Sequence, residues 1–360
     1  MRKVLFADQL RGLAFICVVI VHWLGVFRQY DLMSYVTGAP AIDLSNHNLY
    51  ENLLPGLPNF NYGPFGVSLF FLISGFVIPF SMDSSGRGKF IVSRALRIYP
   101  VYIISSLVML LFYFSSHLYW GAPVHLSIKE VIANITLTSS ILDYPSIDLI
   151  NWTLEIEIKF YLIMFIFFNS IKSANIGVIL IPLTLLIAFS VSRNFHIFDS
   201  SYKQAISFHN LRVEMTYISY MFLGVLINRL YKKDIGVYEF IIASAFLILI
   251  VRQTSIVTGV YNIELCYNYA YGYIVFLACY LLNKSFKPNK ALSFLSRISY
   301  PFYALHSIIG YCSIRYLLSL GVSHAIAFII TFMMVTGLAF IINTTVETPV
   351  MKATKRIFAK

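Results

Sequence analysis

The stretch FADQLRGLAFICVVIVHW (residues 6–23) is apolar over most of its length, yet it carries Arg11 near one end and His22 near the other. Eleven residues at 100° each turn a helix about 20° past three full turns, so both side chains lie on one face, about 16 Å apart. A histidine inside a membrane helix is costly unless it faces a polar interior. The stretch therefore predicts a membrane helix in which His22 is functional; the structural alternative is a histidine that only forms hydrogen bonds inside a helix bundle.

The composition extends this prediction to the whole chain. Of its 360 residues 58% are hydrophobic and 12% are charged, whereas a soluble domain carries roughly a quarter charged residues. We predict an all-α, polytopic membrane bundle of about ten transmembrane helices. The predicted spans are residues 10–27, 66–82, 98–116, 151–170, 175–192, 214–231, 236–252, 267–283, 299–320 and 323–346.

The net charge of +11 does not by itself indicate a nucleic-acid partner. Most lysines and arginines fall in the segments on one side of the predicted bundle, the side that holds both chain ends. Because cytoplasmic segments are enriched in these residues, we expect both termini in the cytoplasm and no nucleic-acid partner. Asp8 and Arg11 interrupt the first apolar run, so we expect it to remain as a helix and not to be cleaved as a signal peptide.

The segments between the predicted spans are too short for a separate soluble domain. The two largest are 28–65 and 117–150, both on the outer side, so we expect one membrane domain over residues 1–360. In the second, residues 128–142 place apolar side chains on one side, which predicts an interfacial or re-entrant helix. These segments either meet an outer partner or cover the bundle. The four cysteines have neither metal-ligand nor disulfide-framework spacing, so we expect no metal site.

Arginines gather at the predicted cytoplasmic ends of the spans. Arg94 and Arg97 are three residues apart and so share a helix face. Paired arginines suit a phosphate group, although anchoring to lipid headgroups explains them as well. Arg11 lies on the same side of the membrane, so the three guanidinium groups are expected to converge.

Two glutamates enter the span that begins near residue 151. Glu155 has Lys159 four residues later, which predicts an intrahelical ion pair. Glu157 points about 200° away from Glu155 and has no such partner, so it is a functional candidate. Counting residues from the predicted outer helix ends places Glu157 at a depth similar to that of His22. We therefore predict a His22–Glu157 general base, while His306 either forms packing hydrogen bonds or contacts a substrate.

Five ordered motifs resemble those of the integral-membrane acyltransferase 3 family. FADQLRGLAFICVVIVHW is similar to its opening signature, and the other four similar motifs are GPFGVSLFFLISGFVI (63–78), SRALRIYPVY (93–102), NWTLEIEIKFYL (151–162) and ISYPFYALH (298–306). The chain departs from the family pattern at Thr153, where serine is usual, at Glu155, where a small residue is usual, and at Pro79, which is expected to break the second helix.

The resemblance implies an acyl-CoA-dependent O-acetyltransferase of the bacterial inner membrane. Its acceptor would be the hydroxyl of a surface polysaccharide, such as lipopolysaccharide O-antigen or exopolysaccharide, or of a lipid-linked glycan. His22 would be the catalytic base or nucleophile and Glu157 its companion. Arg11, Arg94 and Arg97 would hold acetyl-CoA, and His306 would contact substrate. Outer aromatic residues would either stack on sugar or anchor the protein at the membrane interface. No metal is implied, and this chain would complete the transfer without an additional soluble domain.

Two other classes of function fit the residue pattern. In a proton-coupled transporter or flippase, Arg11, His22, Glu157 and His306 would form an intramembrane polar path. A non-catalytic membrane subunit would tolerate replacement of His22 by alanine, whereas an enzyme would lose activity.

Overall fold

The computed structural model describes residues 4–42, 49–173, 177–194 and 208–359, and every regular element in these ranges is a helix. The α-helices are α1 (Leu5–Ile20), α2 (Tyr30–Thr37), α3 (Leu49–Asn52), α4 (Tyr62–Asp83), α5 (Arg87–Trp120), α6 (Ile128–Ile135), α7 (Trp152–Ile166), α8 (Phe168–Ser173), α9 (Gly177–Asn194), α10 (Phe208–Lys232), α11 (Val237–Thr258), α12 (Ile263–Leu281), α13 (Lys290–Ser319), α14 (His324–Ile342) and α15 (Thr348–Ala359). Two π-helical turns, Val21–Gly25 and Asn343–Glu347, continue α1 and α14.

Helices occupy the positions of all the predicted spans, although the first two residues of the span predicted at 175–192 lie outside the described ranges. Within those ranges, five helical segments are long and apolar enough to cross a membrane. These are Leu5–Arg28, Tyr62–Asp83, Arg87–Trp120, Val237–Thr258 and His324–Phe358. The all-α membrane class is thus confirmed, while the count of ten spans and the orientation of the termini remain predictions.

Helix α1 stands between two hydrophobic clusters. The first cluster joins one face of α1 to α4, α7, α10, α11 and α12, and includes Phe6 and Leu10. The second joins the opposite face of α1 to α2, α5, α13 and α14, and includes Phe15 and Val19. The seam between the clusters is where the polar side chains of α1 find space inside an otherwise apolar bundle.

Close backbone contact between α4 and α10 fixes the first cluster. Gly75 and Gly224 face each other, and a Cβ atom at either position would collide with the backbone of the other helix, as small residues at membrane helix crossings permit. The expected break at Pro79 is wrong, because α4 continues through it to Asp83. In the turn before Pro79, a neighbouring helix supplies a hydrogen bond to the backbone of α4: Asn228 Nδ2 of α10 donates to the Phe76 carbonyl at 2.8 Å.

The outer segment 117–150 covers part of the bundle. Its predicted helix is present but short, since α6 ends at Ile135 and the chain then turns. Ile128 and Ile132 are exposed, as a helix at a lipid interface requires. The following residues descend into the protein, where Asp148 and Asn151 are buried. Helix α7 therefore begins inside the molecule and not at its surface.

Candidate active site

His22 lies in the π-helical turn that follows α1, opposite the C-terminal half of α13. Its Nδ1 atom forms a 2.6 Å hydrogen bond with the Tyr311 hydroxyl. A hydroxyl both donates and accepts, so this bond is compatible with either neutral tautomer of the imidazole. The His22 ring is also perpendicular to the ring of His306, with centroids 5.1 Å apart. Two imidazoles and a phenol thus meet at one point of the bundle.

The hydrogen bonding of His306 determines which of its nitrogens is free. Nδ1 lies 2.8 Å from the Tyr303 carbonyl oxygen, and because a carbonyl only accepts, Nδ1 carries the hydrogen. Nε2 of the neutral ring therefore keeps its lone pair. This atom is buried and has no hydrogen-bond partner among the residues that the structure describes. His306 thus presents an unused basic nitrogen beside His22, a feature that the sequence pattern left open.

Trp23 and Gly310 hold the two histidine helices in register. Trp23 Nε1 donates to the His306 carbonyl oxygen at 2.9 Å. A side chain at Gly310, one turn further along α13, would collide with the indole ring. The residue after the candidate catalytic histidine therefore fixes the position of α13, and the glycine makes room for that contact.

Glu157 belongs to a second polar cluster, nearer the end of the bundle that holds both chain termini. Its carboxylate accepts from the Ser74 hydroxyl at 2.8 Å and from the Tyr161 hydroxyl. Its charge also interacts with those of Arg11 and Arg94. Two hydroxyl donors thus satisfy this carboxylate, and two nearby arginines offset its charge, in the seam between the clusters.

The structure does not bring Glu157 and His22 into contact. Thr153 and Tyr303 share a 2.6 Å hydroxyl hydrogen bond, which sets the start of α7 level with the middle of α13. From that level, Glu157 lies one helical turn toward the end of the bundle where α15 lies, and His306 lies three residues in the opposite direction. Glu157 and His306 are therefore about 10 Å apart along the bundle axis. Counting from the helix end misplaced Glu157 because the segment before α7 enters the bundle.

The three predicted arginines occupy two kinds of position. Arg11 and Arg97 line the same internal space. Arg94 lies behind it, with Nη2 donating to the Ser81 hydroxyl at 2.9 Å and its guanidinium 5.9 Å from the Tyr161 ring centroid. Arg11 and Arg97 are therefore placed to touch a ligand, and Arg94 is placed to support the Glu157–Tyr161 pair.

Two cavities meet at Arg11 and Arg97. The inner cavity, of about 100 Å³, extends along the seam to Phe70, Thr153 and Tyr303. The mouth cavity, of about 460 Å³, opens toward the ends of the chain. The four residues common to both linings are Arg11, Arg97, Ser299 and Tyr300. The Tyr303 ring closes the inner end, with its centroid 5.5 Å from that of His306.

Glu155 has a structural role. Lys159 Nζ lies 3.6 Å from its carboxylate, which confirms the predicted pair, and Glu214 gives the same lysine a second partner. The Glu155 carboxylate also accepts from the backbone and hydroxyl groups of Ser139 and Ser140. These bonds fasten the outer segment to α7 and so determine the depth at which Glu157 lies.

Sequence reasoning missed Tyr311, Ser74 and Tyr303. Each carries a hydroxyl in an apolar helix, a pattern that does not distinguish a ligand-facing residue from a packing one. The contact of Tyr311 joins residues 289 positions apart, so no local spacing could reveal it. For the described residues, no group of three or more His, Cys, Asp and Glu side chains has a geometry suited to a metal ion.

Comparison with known proteins identifies the family. The family model described as Acyltransferase domain, of the acyltransferase 3 type, matches residues 4–344. A protein of Acidianus two-tailed virus, named "Putative acetyltransferase ORF330", is 28% identical over 140 residues, which cover 38% of this chain and 40% of that protein. The match thus spans less than half of the viral protein, and no solved structure matches the chain. The chain belongs to the acyltransferase 3 family.

Proposed function

We propose that the protein is a membrane O-acyltransferase that moves an acetyl group from cytoplasmic acetyl-CoA to a hydroxyl of an extracytoplasmic glycan, such as O-antigen or exopolysaccharide. In this proposal it crosses a bacterial inner membrane ten times, with both termini in the cytoplasm. Family membership supports acyl transfer. The single observation that supports the donor is the pair of cavities joined at Arg11 and Arg97, which lead from the mouth toward the two histidines.

The donor would enter through the mouth cavity. Guanidinium groups form charge-assisted hydrogen bonds with phosphate oxygens, so the diphosphate of coenzyme A would rest on Arg11 and Arg97. Its thioester arm would extend along the seam toward the histidines. Tyr303 stands between the inner cavity and His306, so its ring must turn aside for the thioester to pass. The acceptor hydroxyl would approach from the opposite side of the membrane.

Acetyl-CoA supplies an activated acyl carbon, and the two imidazoles supply proton transfer. A neutral imidazole nitrogen takes the proton of the acceptor hydroxyl while that oxygen attacks the thioester carbonyl. The carbon–sulfur bond then breaks, and the sulfur leaves and receives a proton. Alternatively, a His22 nitrogen bonds to the acyl carbon first, and the acceptor oxygen displaces it in a second step. Tyr311 orients His22 in both schemes.

The test is transfer of radiolabel from acetyl-CoA to extracted surface glycans, in membranes with equal amounts of wild-type or variant protein. His22→Ala should reduce transfer by at least about 100-fold, because it removes a general base. His209→Ala is the matched control, since His209 is an exposed histidine of α10; it should retain wild-type transfer.

Two results would contradict the proposal. Equal transfer by wild-type protein and His22→Ala would remove His22 from the chemistry. The absence of transfer in both would contradict the choice of donor or acceptor and favour the transporter alternative.

A further inference from the structure

The rim of the mouth cavity carries more positive charge than Arg11 and Arg97 account for. Besides Arg11 and Arg97, the lining includes Arg297 of α13 and Lys352 and Lys355 of α15. We call Arg297, Lys352 and Lys355 the rim cations. They come from two helices far apart in sequence, so the fold and not a local basic run assembles them.

The negative groups of the mouth do not neutralise the rim cations. Two carboxylates line the cavity beside five cations. Asp8 accepts from Ser296 at 2.8 Å and Glu347 from Asn343 at 2.7 Å, and the charges of both carboxylates interact with that of Arg11. In the described ranges no carboxylate forms an ion pair with any rim cation, whereas Lys232 pairs with Asp83. The mouth is thus a cavity with surplus positive charge, which attracts a polyanion.

Helix α15 is held in place as a wall of this cavity. It packs against α5, where Lys89 Nζ donates to the Phe358 carbonyl at 3.2 Å. Asn343, just before α15, donates to the Arg297 carbonyl at 3.2 Å and so joins this wall to α13. Lys352 and Lys355 are three residues apart and share the helix face that lines the cavity. The volume of about 460 Å³ is within the usual range for a small-molecule site.

We propose that the rim cations form a second phosphate subsite, which binds the phosphomonoester on the ribose of coenzyme A. This inference rests on the proposed function. In coenzyme A the diphosphate lies between the thioester arm and the nucleotide. If the arm points to the histidines and the diphosphate rests on Arg11 and Arg97, the ribose phosphate lies on the mouth side of those arginines. The rim cations are the positively charged groups that line the mouth there.

Binding of coenzyme A and of dephospho-coenzyme A, which lacks this phosphomonoester, tests the proposal without requiring transfer. Isothermal titration calorimetry would use the full chain in nanodiscs of neutral phosphatidylcholine. Wild-type protein should bind coenzyme A about tenfold more tightly than the dephospho compound, as expected for charge-assisted hydrogen bonds. The double variant Lys352→Ala, Lys355→Ala should bind both with the weaker affinity. Arg356→Ala, an exposed arginine of α15 outside the cavity lining, should behave as wild type.

Other outcomes would overturn the subsite. Equal wild-type affinity for the two compounds would show that the phosphomonoester is not recognised. A double variant that weakens both compounds equally would show only a general electrostatic effect. If the selectivity seen in phosphatidylcholine disappears when phosphatidylglycerol is added, the rim cations bind lipid headgroups in preference to the phosphomonoester. Failure of wild-type protein to bind either compound would contradict the donor of the proposed function itself, and selective binding without transfer would contradict only the proposed reaction.

Discussion

At the scale of single residues, Tyr311 fixes the orientation of the His22 ring. The phenol is fully buried, and its ring stacks on Phe27 with centroids 6.3 Å apart. Packing therefore holds the ring, and the hydroxyl holds His22. In the proposed reaction Tyr311 is a positioning residue, because it would act on the imidazole and not on the substrate.

Replacing Tyr311 with phenylalanine should separate these two effects. The variant keeps the packing and removes one hydrogen bond, so kcat for acetyl transfer should fall about tenfold. The KM for acetyl-CoA and the thermal unfolding midpoint should stay at wild-type values. Tyr316→Phe, at a half-exposed position of the same helix, is the control. A fall in the unfolding midpoint that accompanies the loss of kcat would mean that Tyr311 only stabilises the fold.

The sequence locates the charged members of the site and misses their neutral partners. Arg11, His22 and Glu157 stand out because ionisable side chains in a membrane segment are costly. Ser74 does not stand out, since a serine hydroxyl can bond to the backbone of its own helix at little cost. Tyr311 does not stand out because it is one of 25 tyrosines in an apolar chain. The pairing of Glu157 with His22 failed for a related reason: depth was inferred from helix ends, and the end of α7 is buried.

At the scale of the helices, the start of α7 depends on Glu155. Its side chain is fully buried, and it connects Lys159 to the turn at Ser139 and Ser140. The sequence predicted the pair with Lys159 but not the turn, because the serines lie in an irregular segment whose fold depends on tertiary contacts. This buried ion pair holds the outer segment against the bundle.

Removing the Glu155 carboxylate should therefore destabilise the protein. Glu155→Ala removes the acceptor of three donors, the Ser139 hydroxyl and the backbone N–H groups of Ser139 and Ser140, and one partner of Lys159. We therefore expect the free energy of unfolding to fall by about 3–5 kcal/mol, with a lower thermal unfolding midpoint in detergent. Glu239→Ala, at an exposed position where one backbone N–H is capped, should cost about 1 kcal/mol or less. Equal midpoints for the two variants would show that α7 is held by other contacts.

At the scale of the whole molecule, the bundle places a cluster of cations and a pair of histidines at opposite ends of one seam. The rim cations, Arg11 and Arg97 occupy the end of the seam near α15, and the two histidines lie beyond Tyr303. Hydropathy predicted where the helices lie along the chain, since apolar runs of span length define them. It could not predict which helices border the seam, because that depends on side-chain packing between distant segments.

The most direct test of the proposed transfer across the membrane is the sidedness of the reaction in sealed membrane vesicles that contain the protein and its endogenous acceptor. In inverted vesicles, which expose the cytoplasmic face, external radiolabelled acetyl-CoA should label glycan that stays enclosed in the lumen. The His22→Ala protein should label none. Right-side-out vesicles should give no label until they are permeabilised. Label formed by intact right-side-out vesicles from external acetyl-CoA would contradict a donor site at the mouth and a transfer across the membrane.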